Sequence, residues 1–357
     1  MKRPLLTISI PTYNRASYLE ILLGQLQKEV ATLKEPDIVE VLISDNASPD
    51  KTEQVVQQSI NQGLTLRYLR NDQNIGSDRN IAQAFNEASG SYVLIMGDDD
   101  VLVDGALVTL LARLNQLSPG VLLLGAYGYE LDFKTELPRV GNGYFEFTSA
   151  GKFLRQAGAK ITLISACVIN KEIIKSADAN SFIGENLVQV HLVLRALLAT
   201  TNSVICNEYS VACKRNNSGG YLYAEVFVKN LGNILDSYIT HGLSNDDVLT
   251  FDNHLLRAHH PYYVWRNLRL GQEALELSKT YFDNRFNGNL SYWVLIKPMF
   301  FLPRPLAWLW GLFSTIISRI VFGGDLIRAF YFIKNRLMRF SRFVCFSFKA
   351  MGNNPPC

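Results

Sequence analysis

Four short apolar runs recur in the first hundred residues. Each of the first three is followed by a stretch with helical spacing, and this alternation constrains the fold more than any other feature. Leu5–Ile10 reads as a buried strand, and Ser17–Lys28 as a helix with Leu19, Leu22, Leu23 and Leu26 on one face. Ile38–Ser44 is a second strand, and Asp50–Gln62 a second helix carrying Val55, Val56 and Ile60. Leu64–Arg70, Asp78–Ser89 and Tyr92–Met96 continue the series as strand, helix and strand. Such a β-α-β-α-β-α-β order predicts an α/β fold with a mostly parallel sheet, right-handed crossovers and helices on both faces. Further on, the spacing predicts a helix over Gly105–Leu117, strands over Val121–Tyr127 and Ile161–Asn170, and a helix over Asn186–Ala199. Residues 128–160 read as a mobile flap, 200–220 as a short strand with a Gly-rich loop, and 221–281 as helical.

In parallel α/β sheets, ligands sit beyond the carboxyl ends of the strands. Polar residues gather there in four segments: Pro11–Arg15, Asp45–Asp50, Asn71–Asn80 and Gly97–Asp100. The last places three carboxylates, Asp98, Asp99 and Asp100, directly after the fourth strand. Adjacent negative charges repel unless they are solvated or neutralised by a cation. Hard divalent ions take oxygen ligands, and Mg²⁺ commonly takes one or two carboxylates plus substrate phosphate oxygens. The cluster is thus a candidate for holding a metal against a diphosphate; the plainer reading is an acidic turn ahead of a helix. Strand alternation places Asp98 and Asp100 on one side and Asp99 on the other.

Composition excludes several classes. The five cysteines are widely spaced with no CxxC pair, which argues against a disulfide framework or zinc site. His259-His260 lack neighbouring ligands at metal spacing and read as solvated or packed. No GxGxxG follows the first strand, which excludes a Rossmann dehydrogenase. The amino-terminal apolar run is cut by Pro11 and reads as a strand rather than a secretory leader, which leads us to expect the catalytic part on the cytoplasmic side. The net charge of +3 conceals an asymmetry: residues 291–357 hold nine Lys/Arg and one acid, a net +8, leaving −5 in residues 1–290. Aromatic and apolar residues in 292–322 and again in 330–348 are interrupted by Lys, Arg and Pro. The longest uncharged stretch, Pro305–Ser318, is shorter than the ~20 residues that span a bilayer. This blend favours helices in the interface of an anionic membrane, and the alternative is helices packed on the domain with a basic outer face. With no recognised motif for it and an acidic remainder, nucleic acid is not an expected partner.

Taken together, Ser9-Ile-Pro-Thr-Tyr-Asn-Arg15, Ile43-Ser-Asp-Asn-Ala-Ser-Pro-Asp50, Asn74-Ile-Gly-Ser-Asp-Arg-Asn80 and Gly97-Asp-Asp-Asp100 resemble the nucleotide-sugar half of a family 2 glycosyltransferase of GT-A fold. They look closest to the abequosyltransferase-like branch of O-antigen enzymes. The resemblance is firm over residues 5–110 and looser to about 220. It implies a nucleotide-sugar-binding half in 1–115, an acceptor half in 116–220, a helical extension in 221–290 and a basic aromatic membrane-associating segment in 291–357. It also implies that Pro11, Thr12 and Tyr13 meet the base and ribose, and that Asp45 accepts a hydrogen bond from a pyrimidine. Asn74, Asp78 and Arg79 lie in the third donor loop, with Arg79 placed to pair with the diphosphate. The family's usual Asp-x-Asp-Asp has Gly97 at its first position here. Asp99 then falls on the metal-binding carboxylate, with Asp100 as a further ligand and Asp98 near the ribose or the metal's water shell; an alternative frame takes Asp98 and Asp100 as the Asp-x-Asp pair. The expected cofactor is Mg²⁺ or Mn²⁺.

Inverting transfer needs a general base for the acceptor hydroxyl. The family's Glu-Asp pair is matched by Gly184-Glu-Asn186, so Glu185 is the candidate, with a helix-terminal charge as its plain alternative. His191 reads as a packed histidine and second-choice base, and the loop of Arg215, Asn216 and Ser218 as a phosphate or acceptor contact or plain loop. The implied function is transfer of a sugar from a nucleotide-diphosphate donor to a lipid-linked oligosaccharide or other glycan acceptor at the cytoplasmic face of the inner membrane. Two alternatives remain: a catalytically silent, membrane-associated nucleotide-sugar binder, and a nucleotidyltransferase, which would carry a basic Gly-rich loop near the start that residues 8–30 lack.

Overall fold

A computed structural model describes residues 3–138, 143–215 and 220–322. The chain divides into two compact units, residues 1–251 and 252–357. The boundaries expected at 115 and 220 fall inside the first unit and the one at 290 inside the second.

The first unit begins with the expected alternation: β1 (Leu6–Thr12), α1 (Ala16–Ala31), β2 (Val39–Asp45), α2 (Thr52–Asn61), β3 (Arg67–Arg70), α3 (Ser77–Asn86) and β4 (Tyr92–Ile95). Leu19, Leu22, Leu23 and Leu26 of α1 are fully buried against the sheet, a face-wide burial that drives helix docking. There follow β5 (Val101–Leu102), α4 (Ala106–Leu117), β6 (Val121–Tyr129), β7 (Tyr144–Phe147), α5 (Ala150–Ala157), β8 (Cys167–Asn170), α6 (Val188–Leu198), β9 (Ser203–Lys214) and α7 (Leu231–Ser237).

The sheet order is β3-β2-β1-β4-β8-β6-β9-β5, with β7 also on β9. The pairs β1–β2, β1–β4, β2–β3 and β6–β9 are parallel. The pairs β4–β8, β6–β8, β5–β9 and β7–β9 are antiparallel. The sheet is therefore mixed rather than mostly parallel: its first half matches the expectation, and β8 enters reversed between β4 and β6. The strand expected over Ile161–Asn170 is only its last four residues, because 158–162 and 164–166 form 3₁₀ turns. Part of the expected flap, 128–160, is ordered as β7 and α5, and β9 runs for twelve residues where a short strand was expected.

Helix α8 (Asn245–Ala258) runs across the division between units. The second unit continues with α9 (His260–Asn267), α10 (Gln272–Phe286), α11 (Leu290–Leu295), α12 (Pro298–Phe301) and α13 (Arg304–Ile317). His260 is fully buried, packed against Phe282 and Phe286. Burial lowers both histidines, His259 to about 4 and His260 well below the usual range, so they are neutral packed side chains. Among the described residues no helix is long and apolar enough to cross a membrane. Residues 330–348 and the cations from Arg328 to Lys349 lie outside the described residues.

Candidate active site

Strand register sets the level of the site. Ser9 pairs with Ile95, and Thr12 with Asp45. Three residues beyond Ser9 and Ile95 are Thr12 and Asp98, and there the Thr12 hydroxyl donates to Asp98 Oδ2 at 2.8 Å. The first and second loops are laced together: Asn14 N–H donates to Ser48 Oγ, and Ala16 N–H to Asp50, which also receives Thr52 N–H and hydroxyl. Asp50 thereby satisfies the starts of both α1 and α2. Asn14, Ala47 and Asn186 take left-handed backbone (φ 56°, 62° and 57°), and all three lie in loops of this edge. Such conformations cost energy and persist only where the surroundings fix them.

The carboxylate turn is held on every side. Asp98 and Asp100 are nearly fully buried, while Asp99 keeps more exposure, as strand alternation predicts. Arg15, a residue the sequence analysis left without a role, places Nη1 3.2 Å from both Asp98 Oδ1 and Asp99 Oδ2. Burial acts to lower the Arg15 pKa, but Asp98 and Asp99 outweigh it and raise it. Asp100 faces inward: Ser165 Oγ donates to its Oδ2 at 2.5 Å and the Lys214 N–H to its Oδ1 at 3.1 Å. Through these bonds the Asp100 carboxylate, expected as a further metal ligand, ties the turn to β9 and Ser165. Burial raises Asp100 to about 7, reinforced by Asp99, and raises Asp98 to about 6 against the opposing pull of Arg15 and Thr12.

Gly97 now has a physical account. Its N–H donates to Ser165 Oγ at 2.9 Å, and a Cβ there would lie 3.2 Å from Asp99 Oδ1 and 3.4 Å from Ser165 Oγ. A side chain at 97 would crowd the Asp99 carboxylate first. Among the described residues no three His, Cys, Asp or Glu side chains converge to hold a metal ion. The donor set, with Asp99 the more exposed carboxylate of a turn of three, fits a hard cation whose other ligands are phosphate oxygens and water.

Several residues expected to touch the donor also shape the edge. Asp45 has no exposed surface; its oxygens accept from Ser48 N–H at 2.9 Å and Tyr68 hydroxyl at 2.6 Å, with Arg70 Nε 3.5 Å away. It anchors the second loop. Asn74 uses its carbonyl oxygen to receive Asn46 Nδ2 and Gly76 N–H, so it fixes the third loop. Asn80, buried at the start of α3, exchanges hydrogen bonds with Ser44 hydroxyl and carbonyl. These asparagines satisfy backbone that leaves the sheet, a role the loop motif alone did not reveal. Pro11 is half-buried, and Tyr13 presents an exposed ring beyond β1.

Glu185 reaches this edge through Asp78. Asp78 Oδ2 accepts from Gly184 N–H at 2.7 Å and Asn186 N–H at 2.9 Å, clamping the turn that carries Glu185 to the N-terminus of α3. Its Oδ1 is buried with no partner among the described residues. Residues 75–79 and Ile183, Gly184 and Asn186 wall a cleft of about 290 Å³, with Arg79 exposed on its wall. Of the carboxylates near Arg79, Glu87 pairs with Arg67 and Asp78 accepts from the 184–186 turn. The Glu185 side chain is about one-third exposed, and His191 Nε2–H donates to its Oε2 at 2.8 Å. His191 in turn stacks on Phe182 (4.6 Å, 7°) and has Nδ1 3.3 Å from the Tyr238 hydroxyl. The arrangement is an open carboxylate on a rigid support. Asn186 N–H serves the clamp, and Asn tolerates the left-handed backbone there. Arg215 is described and donates its N–H to the Tyr129 carbonyl, whereas Asn216 and Ser218 lie outside the described residues.

Residues 7–176 match the family model described as glycosyl transferase family 2. Those residues are a glycosyltransferase family 2 domain. The chain is 38% identical over 107 residues to abequosyltransferase RfbV of Salmonella typhimurium, covering 30% of this chain and 31% of that protein. It is 34% identical over 117 residues to the GalNAc(5)-diNAcBac-PP-undecaprenol beta-1,3-glucosyltransferase of Campylobacter jejuni, 32% of this chain and 35% of that protein. The chain thus matches these curated relatives over about a third of their length. In structure it resembles residues 1–349 of S. aureus TarS in complex with UDP-GlcNAc, with a TM-score of 0.58 at 15% identity over 88% of this chain and 90% of that one. That likeness establishes the α/β GT-A-like fold around the glycosyltransferase domain, with its mixed sheet and flanking helices.

Proposed function

We propose that the chain transfers a sugar from a nucleotide-diphosphate donor to a lipid-linked or other glycan acceptor in cell-surface polysaccharide synthesis, with inversion, at the cytoplasmic face of the membrane. The observation that carries the reading is the Asp78 clamp. It holds the turn of an open carboxylate, Glu185, to the same sheet edge that carries Thr12, Arg15 and the Asp98–Asp100 turn. The donor end of the reading rests on Tyr13 as a platform for the base and on Arg15 and Arg79 as cations for the diphosphate. A divalent cation bound through Asp99 would supply further positive charge against the diphosphate. Glu185 takes the proton of the acceptor hydroxyl as that oxygen bonds to the anomeric carbon. The bond from that carbon to the phosphate oxygen breaks, and the nucleoside diphosphate leaves with the electron pair. His191 holds the Glu185 carboxylate in place through Nε2–H.

Support for a lipid-linked acceptor comes from the Campylobacter relative, whose name specifies an undecaprenol-diphosphate-linked glycan. The test is a screen of nucleotide sugars for divalent-dependent thermal stabilisation, followed by turnover of the stabilising donor. A ligand that binds the native state raises its apparent stability. Stabilisation without transfer or donor hydrolysis would replace this reading with the silent binder.

A further inference from the structure

The second unit contains a helix that is inside out for water. In α13 and the turn that follows it, Ala307, Ser314, Thr315 and Ser318 face inward and are at most 2% exposed, and Gly311 among them is buried. Leu306, Leu309, Phe313, Ile320 and Val321 face outward and are 45–62% exposed. The inner face admits close packing: a Cβ on Gly311 would lie 2.3 Å from Trp265 Cδ1. Helices in contact with lipid pack this way, through small residues, because their large apolar side chains lose nothing by facing hydrocarbon.

The outward face continues onto α11. Trp310 Nε1–H donates to the Val294 carbonyl at 3.2 Å and its ring lies 5.7 Å from Phe313. Trp293 and Val294 are each about half exposed. Trp293 Nε1–H is also satisfied, by the Asn287 carbonyl at 2.6 Å. Both indoles can therefore enter an apolar medium without an unpaired donor. Residues 290–322 carry Lys297, Arg304 and Arg319 and no Asp or Glu, and the remaining chain to residue 357 adds six Lys/Arg against one Asp. A second copy of this face would bring like charges together, whereas an anionic bilayer complements them.

We propose that the outward face of α11 and α13 docks in the interface of an anionic lipid bilayer, with α13 lying in the membrane plane. The proposal deepens the membrane location given above and rests on that reading for the leaflet, but not for the face. Each Lys or Arg near an anionic leaflet is expected to strengthen binding about fivefold.

The experiment uses the full chain with vesicles of phosphatidylcholine alone or mixed with phosphatidylglycerol. Wild type is expected to co-sediment with the anionic vesicles, and brominated acyl chains to quench its tryptophan fluorescence. Leu309→Glu/Phe313→Glu is expected to lower vesicle binding at least about tenfold with an unchanged melting temperature, since both side chains are exposed. Trp293→Phe/Trp310→Phe should bind vesicles but lose most of the quenching. The proposal is overturned if the double Glu variant binds like wild type, if wild type binds neither vesicle, or if wild type is a dimer that this variant converts to monomer. Donor-dependent thermal stabilisation is measured separately without vesicles. Lost vesicle binding there leaves the transferase reading standing, and lost donor binding leaves the docking face standing.

Discussion

The two acidic centres of the first unit are built in opposite ways. The Asp98–Asp100 turn is buried, and Thr12, Arg15, Ser165 and Lys214 N–H hold its carboxylates. Glu185 is partly open, and one imidazole holds it. The first arrangement concentrates more negative charge than burial tolerates, so it suits a cation. The second keeps a carboxylate oriented yet accessible, so it suits a proton. Burial and hydrogen-bond partners, not residue type, separate the two proposed roles.

The contrast can be broken by experiment. Glu185→Gln is expected to reduce kcat by about 10²–10⁴ with donor binding retained, the range for loss of a general base. Activity near wild type would move the base elsewhere. Asp99→Asn should cost about 10²–10³ in kcat/KM and remove the divalent-dependent part of donor stabilisation. Full divalent-dependent turnover would sink the metal assignment. Ser165→Ala leaves the Gly97 N–H and Asp100 Oδ2 without their partner, and should destabilise the first unit by about 1–3 kcal/mol in denaturant unfolding. His191→Phe keeps a ring on Phe182 but removes the hydrogen bond to Glu185. It should lower kcat about tenfold with KM little changed, and His191→Gln should recover part of the loss if Nε2–H is what matters.

A pH series sharpens the charged side of the contrast. Asp98 and Asp100 are raised to about 6 and about 7 in the folded chain, above the ordinary carboxylate value of about 4. The folded state therefore holds protons that the unfolded state has released. Their stabilisation is fully present below about pH 4 and is lost as pH rises through about 6 to 7. The melting temperature of metal-free protein should carry a falling component over that window, and added Mg²⁺ or Mn²⁺ should offset it at the upper end. A flat profile, insensitive to divalent ions, would show that the turn needs no cation.

Much of the first half was legible because its signals are local. Apolar runs and helical spacing placed β1 to β4, and parallel topology then placed the four polar loops on one edge. Alternation along the chain also separated Asp99 from its neighbours. What lay beyond reading were contacts between distant segments. Ser165 meets Asp100 across 65 positions, and Asp78 meets Gly184 across 106. Arg15 carried a weak signal, being the cation nearest the end of the first strand in a motif already singled out.

Sequence alone determined the order of elements through β4, the polar edge beyond them and the excess cations of the carboxyl-terminal segment, because periodicity and charge are properties of neighbouring residues. Tertiary structure decided that β8 enters the sheet reversed, that Asp45 and Asp100 turn inward, and that His191 supports Glu185. It also decided that α13 hides its small residues and presents its large ones. An amphipathic pattern fixes two faces, but only packing decides which face is buried, because that choice depends on what each face meets in space.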